Sequence, residues 1–468
     1  MIENWRDALI DLSYVVASVL FIVGLKQLGS PATARRGNQL AAVGMAVAVL
    51  ATVFTRGLQN HLLIVIGIVV GAGASIVPSR TVKMTAMPQM VAIFNGMGGA
   101  TAALVSVVEF EHATDIGRGE TTSIVLGTLI GSISFTGSMI AFAKLQELMS
   151  GRPIVFPSQR VINAALGGAV LLLAVLVIAL GSGGVAQALL VPLFLAALAL
   201  GALLVLPIGG ADMPVVIAIL NSLTGLAAAL TGFVLGNQAL VVAGALVGAS
   251  GSLLTLLMAR AMNRSVTNVL FGAFGAAPAA AGGGGAAVGE AQPVRETSAE
   301  DAAVPLAYAE RVIIVPGYGL AVAQAQHTVR ELADVLEERG VDVKYAIHPV
   351  AGRMPGHMNV LLAEANVPYD DLKEMDEIND DFARTQVALV IGANDVTNPA
   401  ARNDSSSPIY GMPILNVDQA EQVIVLKRSM KSGFAGIENE LFHAPNTTML
   451  FGDAKDSLGK LIAAVKAA

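Results

Sequence analysis

The stretch Arg311-Val-Ile-Ile-Val-Pro-Gly-Tyr-Gly-Leu-Ala-Val-Ala-Gln-Ala-Gln326 decides the fold of the last third of the chain. A run of β-branched residues, two closely spaced glycines and an Ala-rich segment predict a buried strand, a tight turn and the start of a helix. Gly317 permits the turn, and Gly319 lets the backbone approach a diphosphate, while Val322 replaces the usual third glycine. The stretch predicts a cofactor-binding turn, with a purely structural βα turn as the alternative.

Strands and helices alternate on both sides of this turn. Apolar runs predict strands at 311–315, 341–347, 386–391 and 422–426, and the helical pattern between the first two covers 319–339. This alternation is typical of an α/β doubly wound (Rossmann-like) domain with a parallel sheet.

The sequence before this domain is of a different kind. Hydrophobic residues make up 54% of the whole chain and charged residues only 13%, which is typical of membrane proteins. Because a span needs about 20 apolar residues, we predict a multi-span α-helical membrane bundle of about nine transmembrane helices. The predicted spans are 8–28, 37–55, 61–78, 88–108, 122–144, 160–181, 186–206, 213–233 and 239–259.

The charges in the loops predict an orientation. With nine spans and a cytoplasmic C-terminal domain, cytoplasmic loops carry ten Lys and Arg residues and the outer side carries three. This asymmetry fits the positive-inside rule. It places the N-terminus on the outer side of the membrane. The acidic start, with Glu3, Asp7 and Asp11, does not resemble a signal peptide.

Composition also predicts the domain boundaries. We expect a transmembrane domain at 1–264, a flexible Ala/Gly/Pro linker at 265–303 and a nucleotide-binding domain at 304–468. The part after residue 264 carries a net charge of −11, which argues against nucleic acid as a partner. The chain has no cysteine, so thiolate chemistry and cysteine-ligated clusters are excluded, and we expect no metal site.

The membrane part contains an internal repeat. Met87–Leu104 and Met213–Leu230 share the pattern Met-Pro-x-x-x-Ala-Ile-x-Asn-x-x-x-Gly-x-x-Ala-Ala-Leu, and both copies enter from the same side. The following spans echo each other through the pairs Gly127-x-x-x-Gly131 and Gly244-x-x-x-Gly248. The repeat places Asn95 and Asn221 at equal depth, roughly 12 Å into the bilayer. Polar groups at that depth are functional sites or helix–helix contacts, and the sequence leaves both open.

Two features predict the nucleotide preference: the absence of a carboxylate after the second strand, and a basic cluster after a later strand. An NAD site usually has a carboxylate after the second strand, but that strand ends Ala346-Ile347-His348. Lys427-Arg428-Ser429 follows the strand at 422–426 and offers cations and a hydroxyl to a 2′-phosphate. NADP(H) is therefore favoured over NAD(H), and the alternative is an ordinary solvated basic turn.

Two further loops are candidates for ligand contact. Gly392–Val396 follows a strand at the edge where doubly wound folds bind ligands; Asp395 is either a ligand or partner contact or a helix cap. In the loop from His348 to His357, the two histidines are expected to be hydrogen-bonding loop residues rather than catalysts, because hydride transfer needs no protein base. In the membrane part, Asp212 directly precedes a span.

Over nearly the whole chain except the linker, the sequence resembles the beta subunit of the proton-translocating NAD(P) transhydrogenase. The motifs that carry the resemblance are Pro316–Gln326, His348–Glu364, Glu374–Asp381, Gly392–Asp395, Lys427–Met430, Leu450–Lys455, Gly210–Pro214 and Ala261–Ser265.

The resemblance implies an enzyme, a Re/Si-specific proton-translocating NAD(P)+ transhydrogenase. NADP(H) would bind to this chain and NAD(H) to a separate alpha subunit, with hydride passing directly from NADH to NADP+ while protons move inward. A homodimer of the heteromeric unit, surrounded by the lipid of a bacterial cytoplasmic (inner) membrane, is also implied. No residue is expected to be catalytic in its own right.

The resemblance, together with the motifs above, also implies which residues form the sites. The cofactor-binding residues are Gly317, Tyr318, Gly319, Val322, Val350, Ala351, Gly352, Arg353, Met354, Pro355, Gly392, Ala393, Asn394, Asp395, Val396, Gly411, Met412, Lys427, Arg428, Ser429, Met430, Phe434, Asp453 and Ala454. The proton path and coupling residues are Asn95, Asp212, Asn221 and Asp395.

The chain departs from the family pattern at two positions. Asn95 stands where some members have a His, and because Asn does not titrate, the proton-binding group is expected on the partner subunit. Phe434 stands where a Tyr is common, which keeps an aromatic ring without its hydroxyl. The alternative function is a membrane channel or transporter regulated by a cytosolic NADP(H)-sensing domain.

Overall fold

The computed structural model describes residues 2–55, 58, 60–112, 116–150, 153–181, 183–209, 212–262, 265–267, 294–352, 354, 356–405, 407, 409–431, 433 and 435–468. The chain folds as two compact units. We call the first the helical unit and the second, which contains all the described strands, the sheet unit. Most of the linker predicted at 265–303 lies outside the described residues.

Within the described residues, the helical unit contains nine helices that are long and apolar enough to cross a membrane. They are α1 (Ile2–Leu28), α2 (Pro31–Val53), α3 (His61–Thr81), α4 (Met87–His112), α5 (Arg118–Leu145), α6 (Gln159–Leu180), α7 (Gly184–Val205), α8 (Met213–Val234) and α9 (Gln238–Ala261). The predicted nine spans are confirmed. Most helices extend past the predicted apolar segment because a helix continues into the polar interface; the 28 residues of α5 are about 42 Å long, against about 30 Å of hydrocarbon.

The two copies of the repeat pack in the same way. A Cβ at Gly99 of α4 would lie 2.8 Å from the carbonyl oxygen of Gly131 in α5. In the second copy, a Cβ at Gly225 of α8 would lie 2.9 Å from the carbonyl oxygen of Gly244 in α9. Small residues thus bring the backbones of both helix pairs into contact. In these contacts, Gly131 of the first copy has the position that Gly244 has in the second copy. The aligned Gly-x-x-x-Gly segments instead pair Gly131 with Gly248, which is one helical turn further along α9.

In the described part of the chain, the sheet unit is built on six parallel strands. They are β1 (Arg311–Pro316), β2 (Asp342–Ile347), β3 (Leu372–Glu374), β4 (Val387–Ile391), β5 (Gln422–Lys427) and β6 (Thr447–Phe451), in the order β3-β2-β1-β4-β5-β6. Val312–Pro316 and Val387–Ile391 are buried throughout, as expected for central parallel strands covered on both faces. The doubly wound class is confirmed, and the order reverses between β1 and β4.

The prediction of a single helix over 319–339 is wrong. Two helices, Tyr318–Val322 and Gln326–Glu337, are separated by Gln324 in the left-handed conformation, with φ of 50°. The amide of Ala325 donates to the carbonyl oxygen of Leu320 at 3.1 Å and closes the first helix. No Gly or Pro marks this break, so the sequence pattern does not reveal it.

The sheet unit begins before the expected boundary at Val304. Glu296 forms a parallel bridge with Met449 of β6, and Thr297 N donates to the carbonyl oxygen of Met449 at 3.0 Å. A helix, Ala299–Tyr308, follows and buries Ala299, Ala302, Ala303 and Leu306. Residues 294–303 are therefore part of this unit, whereas composition alone assigned them to the linker.

Remaining helices cover the sheet or connect its strands. The α-helices are His357–Glu364, Met375–Ile378, Ala400–Asn403 and Ala454–Ala467. The core between them and the sheet includes Ile313, Val315, Phe382, Val390, Val425 and Phe442, all nearly or fully buried. This core fixes the strand ends, from which the candidate site loops emerge.

Candidate functional site

Three glycines bring the turns after β1 and β4 into contact. Gly317 N donates to Ile391 O at 2.9 Å, and Gly319 N donates to Gly392 O at 3.0 Å. A Cβ at Gly319 would lie 2.7 Å from Gly392 Cα, and one at Gly317 would overlap the backbone of Ala393. The predicted glycines are therefore needed for this backbone contact. It lies where the strand order reverses, which is where doubly wound folds bind ligands.

The loop after β2 borders the same turn. The ring of Tyr318 lies 6.4 Å from that of His357, centroid to centroid. Gly352 has φ of +106°, and a Cβ there would lie 2.7 Å from His357 Cβ, so only glycine fits. Ala351 is buried in this loop. Val350 and Met354 are half-buried. Arg353 and Pro355 lie outside the described residues.

His348 is held as a neutral imidazole within this loop. Its Nε2 donates to Pro413 O at 2.8 Å, and its Nδ1 accepts from Val350 N at 3.2 Å. Burial lowers the pKa of His348 to about 4, against the opposing effect of the hydrogen bond to Pro413. The expectation of a hydrogen-bonding loop residue is confirmed for His348.

The loop after β4 is bound by the segment that follows β5. Asp395 Oδ2 accepts from Ala435 N at 2.9 Å, so this carboxylate holds the later segment in place rather than capping a helix. Asn439 Nδ2 donates to Asn394 O at 2.9 Å, and Asn398 Nδ2 donates to Glu438 O at 2.9 Å. These contacts join the carboxyl ends of β4 and β5.

The basic cluster lies at the end of β5. Lys427 Nζ donates to Lys431 O at 2.6 Å and lies 4.6 Å from the ring centroid of Phe442. Burial lowers the pKa of Lys427, and the negative charge of Asp395 opposes that shift. Arg428, Ser429 and Met430 are exposed. The cluster thus combines one half-buried cation with an exposed cation and hydroxyl.

The remaining predicted residues adjoin these loops. Met412 is buried with Ile409 and Ile414 in a small cluster against which Ala435 and Ile437 pack. Gly411 precedes it with φ of 78°. After β6, Gly452 N donates to Lys427 O at 3.1 Å. Asp453 then caps helix Ala454–Ala467 by accepting from Lys455 N. Among the other members of the set, Ala393 is buried, Val396 is half-buried and Val322 is exposed. Phe434 lies outside the described residues.

These loops fit an anionic dinucleotide. Asn394 Nδ2 is buried and, within the part of the chain that the structure describes, has no hydrogen-bond acceptor. A free buried donor at the switch point matches a ligand that is rich in acceptor oxygens. Lys427, Arg428 and Ser429 at the same edge suit a phosphate.

In the helical unit, Asn95 lies among hydroxyl groups. It is buried, with 8% exposure, and its Nδ2 donates to Ser138 Oγ at 2.9 Å and to Ser134 Oγ at 3.4 Å. Ser134 Oγ in turn donates to Leu220 O of α8 at 2.9 Å. Asn95 thereby links α4 to α5. Its Oδ1 is buried with no partner among the described residues, so a contact between helices does not use the whole side chain.

The other two membrane positions have different surroundings. Asp212 is the N-cap residue of α8, without a cap hydrogen bond from its side chain, and its amide donates to Gly209 O at 3.1 Å. Asn221 is half-buried on α8. The repeat therefore reproduces the position of the asparagine but not its burial.

Sequence reasoning missed several residues. Asn439 is buried, and its side chain has four polar contacts, with Asn394, Thr397 and Leu441. Its position in a loop without a periodic pattern gives no signal. The serines that surround Asn95 recur every fourth residue on α5, at 134 and 138, and that spacing was available as a signal.

Comparisons with known proteins agree with this architecture. The family model described as "NAD(P) transhydrogenase beta subunit" matches residues 10–464. The protein named NAD(P) transhydrogenase subunit beta from Rhodospirillum rubrum is 52% identical over 461 residues, which cover 97% of this chain and 98% of that one. The protein of the same name from Rhodospirillum rubrum strain ATCC 11170 has the same identity and coverage. The chain belongs to the NAD(P) transhydrogenase beta subunit family.

Proposed function

We propose that this transhydrogenase beta chain binds NADP(H) in its sheet unit and works with an alpha subunit that holds NAD(H). Hydride passes directly from NADH to NADP+, and protons move inward through the helical unit in the same cycle. The full assembly is a homodimer of the heteromeric unit. Membership of the family, whose relatives are named as beta subunits, supports an alpha partner and nicotinamide nucleotide chemistry.

The convergence of four loops at the switch point carries the proposal for NADP(H). The turn after β1 contacts the turn after β4, the loop after β2 borders the first turn, and the segment after β5 is hydrogen-bonded to the second. Lys427, Arg428 and Ser429 are proposed to hold the 2′-phosphate. Asn394 donates to the nucleotide.

The nicotinamide itself carries the hydride, so this chain supplies no acid or base for that step. The residues of this chain bind, orient and enclose the nucleotide. His348 fits a role in binding rather than in acid–base chemistry, because it is neutral and both of its ring nitrogens are hydrogen-bonded to backbone groups. The segment held by Asp395 and Asn439 is proposed to cover the nucleotide and exclude water. Asp395 is the proposed coupling residue of the sheet unit.

In the helical unit, Asn95, Asp212 and Asn221 are proposed to act in proton transfer. Asn95 does not titrate, so it serves as a hydrogen-bonding station, and the partner subunit supplies the group that binds the proton. Asp212, at the start of α8, is the carboxylate nearest to the repeat.

The proposed membrane is the bacterial cytoplasmic membrane, with the sheet unit inside and the N-terminus outside. The ten-to-three asymmetry of Lys and Arg supports this orientation. A reporter fused at Gly183 is expected outside and one at Gly209 inside. Finding both on one side would contradict the orientation.

The whole proposal is tested in membrane vesicles that contain both subunits and a pH-sensitive dye. Reverse transfer from NADPH to an NAD+ analogue should be accompanied by proton movement. Asp212→Asn and Asn221→Leu should reduce proton-linked turnover while nucleotide binding by the sheet unit is unchanged. Hydride transfer without any pH change in the unaltered protein would contradict proton coupling.

A further inference from the structure

A second buried polar layer lies in the helical unit, away from Asn95. Ser106 follows Asn95 by 11 residues in α4, which is about 16 Å and about three helical turns, so both side chains lie on one face. Ser106 is buried, with 1% exposure. Gly99 and Ala103, between them on this face, pack closely against Gly131 of α5. The two polar positions are therefore separated by a stretch with only small side chains.

Three helices meet at Ser106. A Cβ at Gly127 of α5 would lie 2.6 Å from Ser106 Oγ and 3.9 Å from Thr231 Oγ1. Thr231 belongs to α8 and is buried, with 4% exposure. The same three helices form the layer around Asn95, where Thr224 Oγ1 of α8 donates to Asn95 O at 3.5 Å. Each layer thus takes polar groups from α4 and α8, and Gly127, which has no Cβ, lets the hydroxyl of Ser106 lie against α5.

The hydroxyl of Ser106 lacks the partner that a helical serine normally has. Thr231 Oγ1 donates to Ala227 O, four residues earlier, at 2.9 Å, which is the usual local bond. In the described part of the chain, Ser106 Oγ is buried with no hydrogen-bond partner, as is Asn95 Oδ1. Inside a bilayer such groups must be satisfied, and water is the smallest molecule that can do so.

We propose that Ser106 and Thr231, at Gly127, form a second hydration site on the path of the translocated proton, about three helical turns of α4 from the Asn95 layer. The proposal rests on the proton translocation proposed above and names further positioning residues for it. Ser106 and Thr231 hold water there and do not titrate themselves. Glycine at position 127 accommodates the Ser106 hydroxyl, which a Cβ there would crowd.

The hydration of this site is tested without any activity measurement. The chain has no cysteine, so Ser106→Cys introduces its only thiol. In the complex with its alpha subunit in membranes, a small water-soluble methanethiosulfonate reagent should label this thiol. Two controls lie nearby: Thr101→Cys, on the exposed face of α4, and Ser132→Cys, whose hydroxyl is buried and already bonded to Thr128 O. Neither control should be labelled. An unlabelled Ser106→Cys variant would overturn the proposal.

The role in coupling is tested with matched pairs. Ser106→Ala and Thr231→Val should reduce proton-linked turnover about tenfold, as expected for the loss of one buried hydrogen bond. Thr231→Ser keeps the hydroxyl and should retain turnover, and Thr101→Val should have no effect. Nucleotide binding and the amount of assembled complex serve as measures of folding. If Ser106→Ala and Thr231→Val both pump normally, the proposal is wrong.

A double variant separates packing from hydration. Gly127→Ala would crowd Ser106 Oγ and should also reduce turnover. If only packing matters, adding Ser106→Ala should restore it, because the crowded oxygen is gone; if hydration matters, the double variant stays impaired. Failure of the unaltered protein to move protons would contradict the proposed function, whereas normal pumping in all variants would contradict only this inference.

Discussion

Glycine brings backbones into contact in both units, but the polar groups beside those contacts differ in charge. In the sheet unit, the contact of Gly319 with Gly392 lies beside loops that carry Asp395, Lys427 and Arg428. In the helical unit, the contact of Gly99 with Gly131 lies beside Asn95, Ser134 and Ser138, which are uncharged. A charge is costly in a bilayer and useful where a phosphate is recognised. This difference supports the proposed division, in which the sheet unit recognises the nucleotide and the helical unit transfers protons.

The largest expected effect is the loss of the glycine contact in the sheet unit. Gly392→Ala places a Cβ 2.7 Å from Gly319 N, at φ of +67°. We expect it to destabilise the sheet unit by about 3 kcal/mol or more, through overlap and backbone strain together. The measurement is urea unfolding of the sheet unit.

Gly340→Ala is the matched control for this change. Gly340 also has a positive φ, of +88°, but a Cβ there has no atom within 4 Å. It should lower the free energy of unfolding by only about 1 kcal/mol, because the positive φ is then the only source of strain. Equal losses at both positions would show that the contact between the two turns contributes nothing.

A smaller effect is expected from removing the charges. Lys427→Ala and Arg428→Ala should each weaken NADPH binding about tenfold or more, because a charge-assisted contact contributes about 1.5–3 kcal/mol. NADH, which has no 2′-phosphate, should lose little. Calorimetric titration of each variant with both nucleotides measures this, and Lys455→Ala, on a neighbouring helix, is a control for net charge. Equal losses for both nucleotides would contradict the assignment of the 2′-phosphate.

An effect of similar size is expected from a change of pH. His348 has a pKa of about 4 when folded, below its usual 6.5, so the unfolded chain binds its proton more readily. Its contribution to stability is therefore lost as pH falls from about 6.5 towards about 4, by about 2 kcal/mol between about pH 7.5 and about pH 5. Urea unfolding at both pH values should show this loss for the unaltered sheet unit. In His348→Gln this part of the pH dependence should be absent.

The exposed His327 provides the control for that measurement. His327→Gln should keep the pH dependence of the unaltered protein, because this side chain lies on the surface of its helix. A sheet unit whose stability changes equally with pH in both variants would show that His348 is not held neutral by burial.

The architecture could be predicted well from the sequence, because the architecture depends on patterns that extend over many residues. Nine apolar runs correspond to the nine long apolar helices among the described residues, and the glycine turn after an apolar strand correctly predicted the doubly wound sheet. Shorter features escaped. The strand Leu372–Glu374 has only three residues, the edge strand Thr447–Phe451 begins with two threonines rather than an apolar run, and the break at Gln324 has no Gly or Pro. Such features are decided by tertiary hydrogen bonds.

The candidate site was predictable in part for the same reason. Glycine turns and the Lys-Arg-Ser cluster are local in sequence, and the structure brings the turns after β1 and β4 together. The bonds from Asn439 to Asn394 join residues 45 positions apart, and those from Asn95 to Ser134 and Ser138 join two helices. Contacts of this kind depend on the assembled fold.

The central claim is that the sheet unit by itself contains the NADP(H) site, and titration of the isolated unit tests it most directly. The fragment should start at Val294 rather than Val304, because residues 295–297 bond to β6 and Ser298 caps helix Ala299–Tyr308. We expect a folded fragment that binds NADPH at least about tenfold more tightly than NADH. A folded fragment that binds both nucleotides equally, or neither, would contradict this expectation.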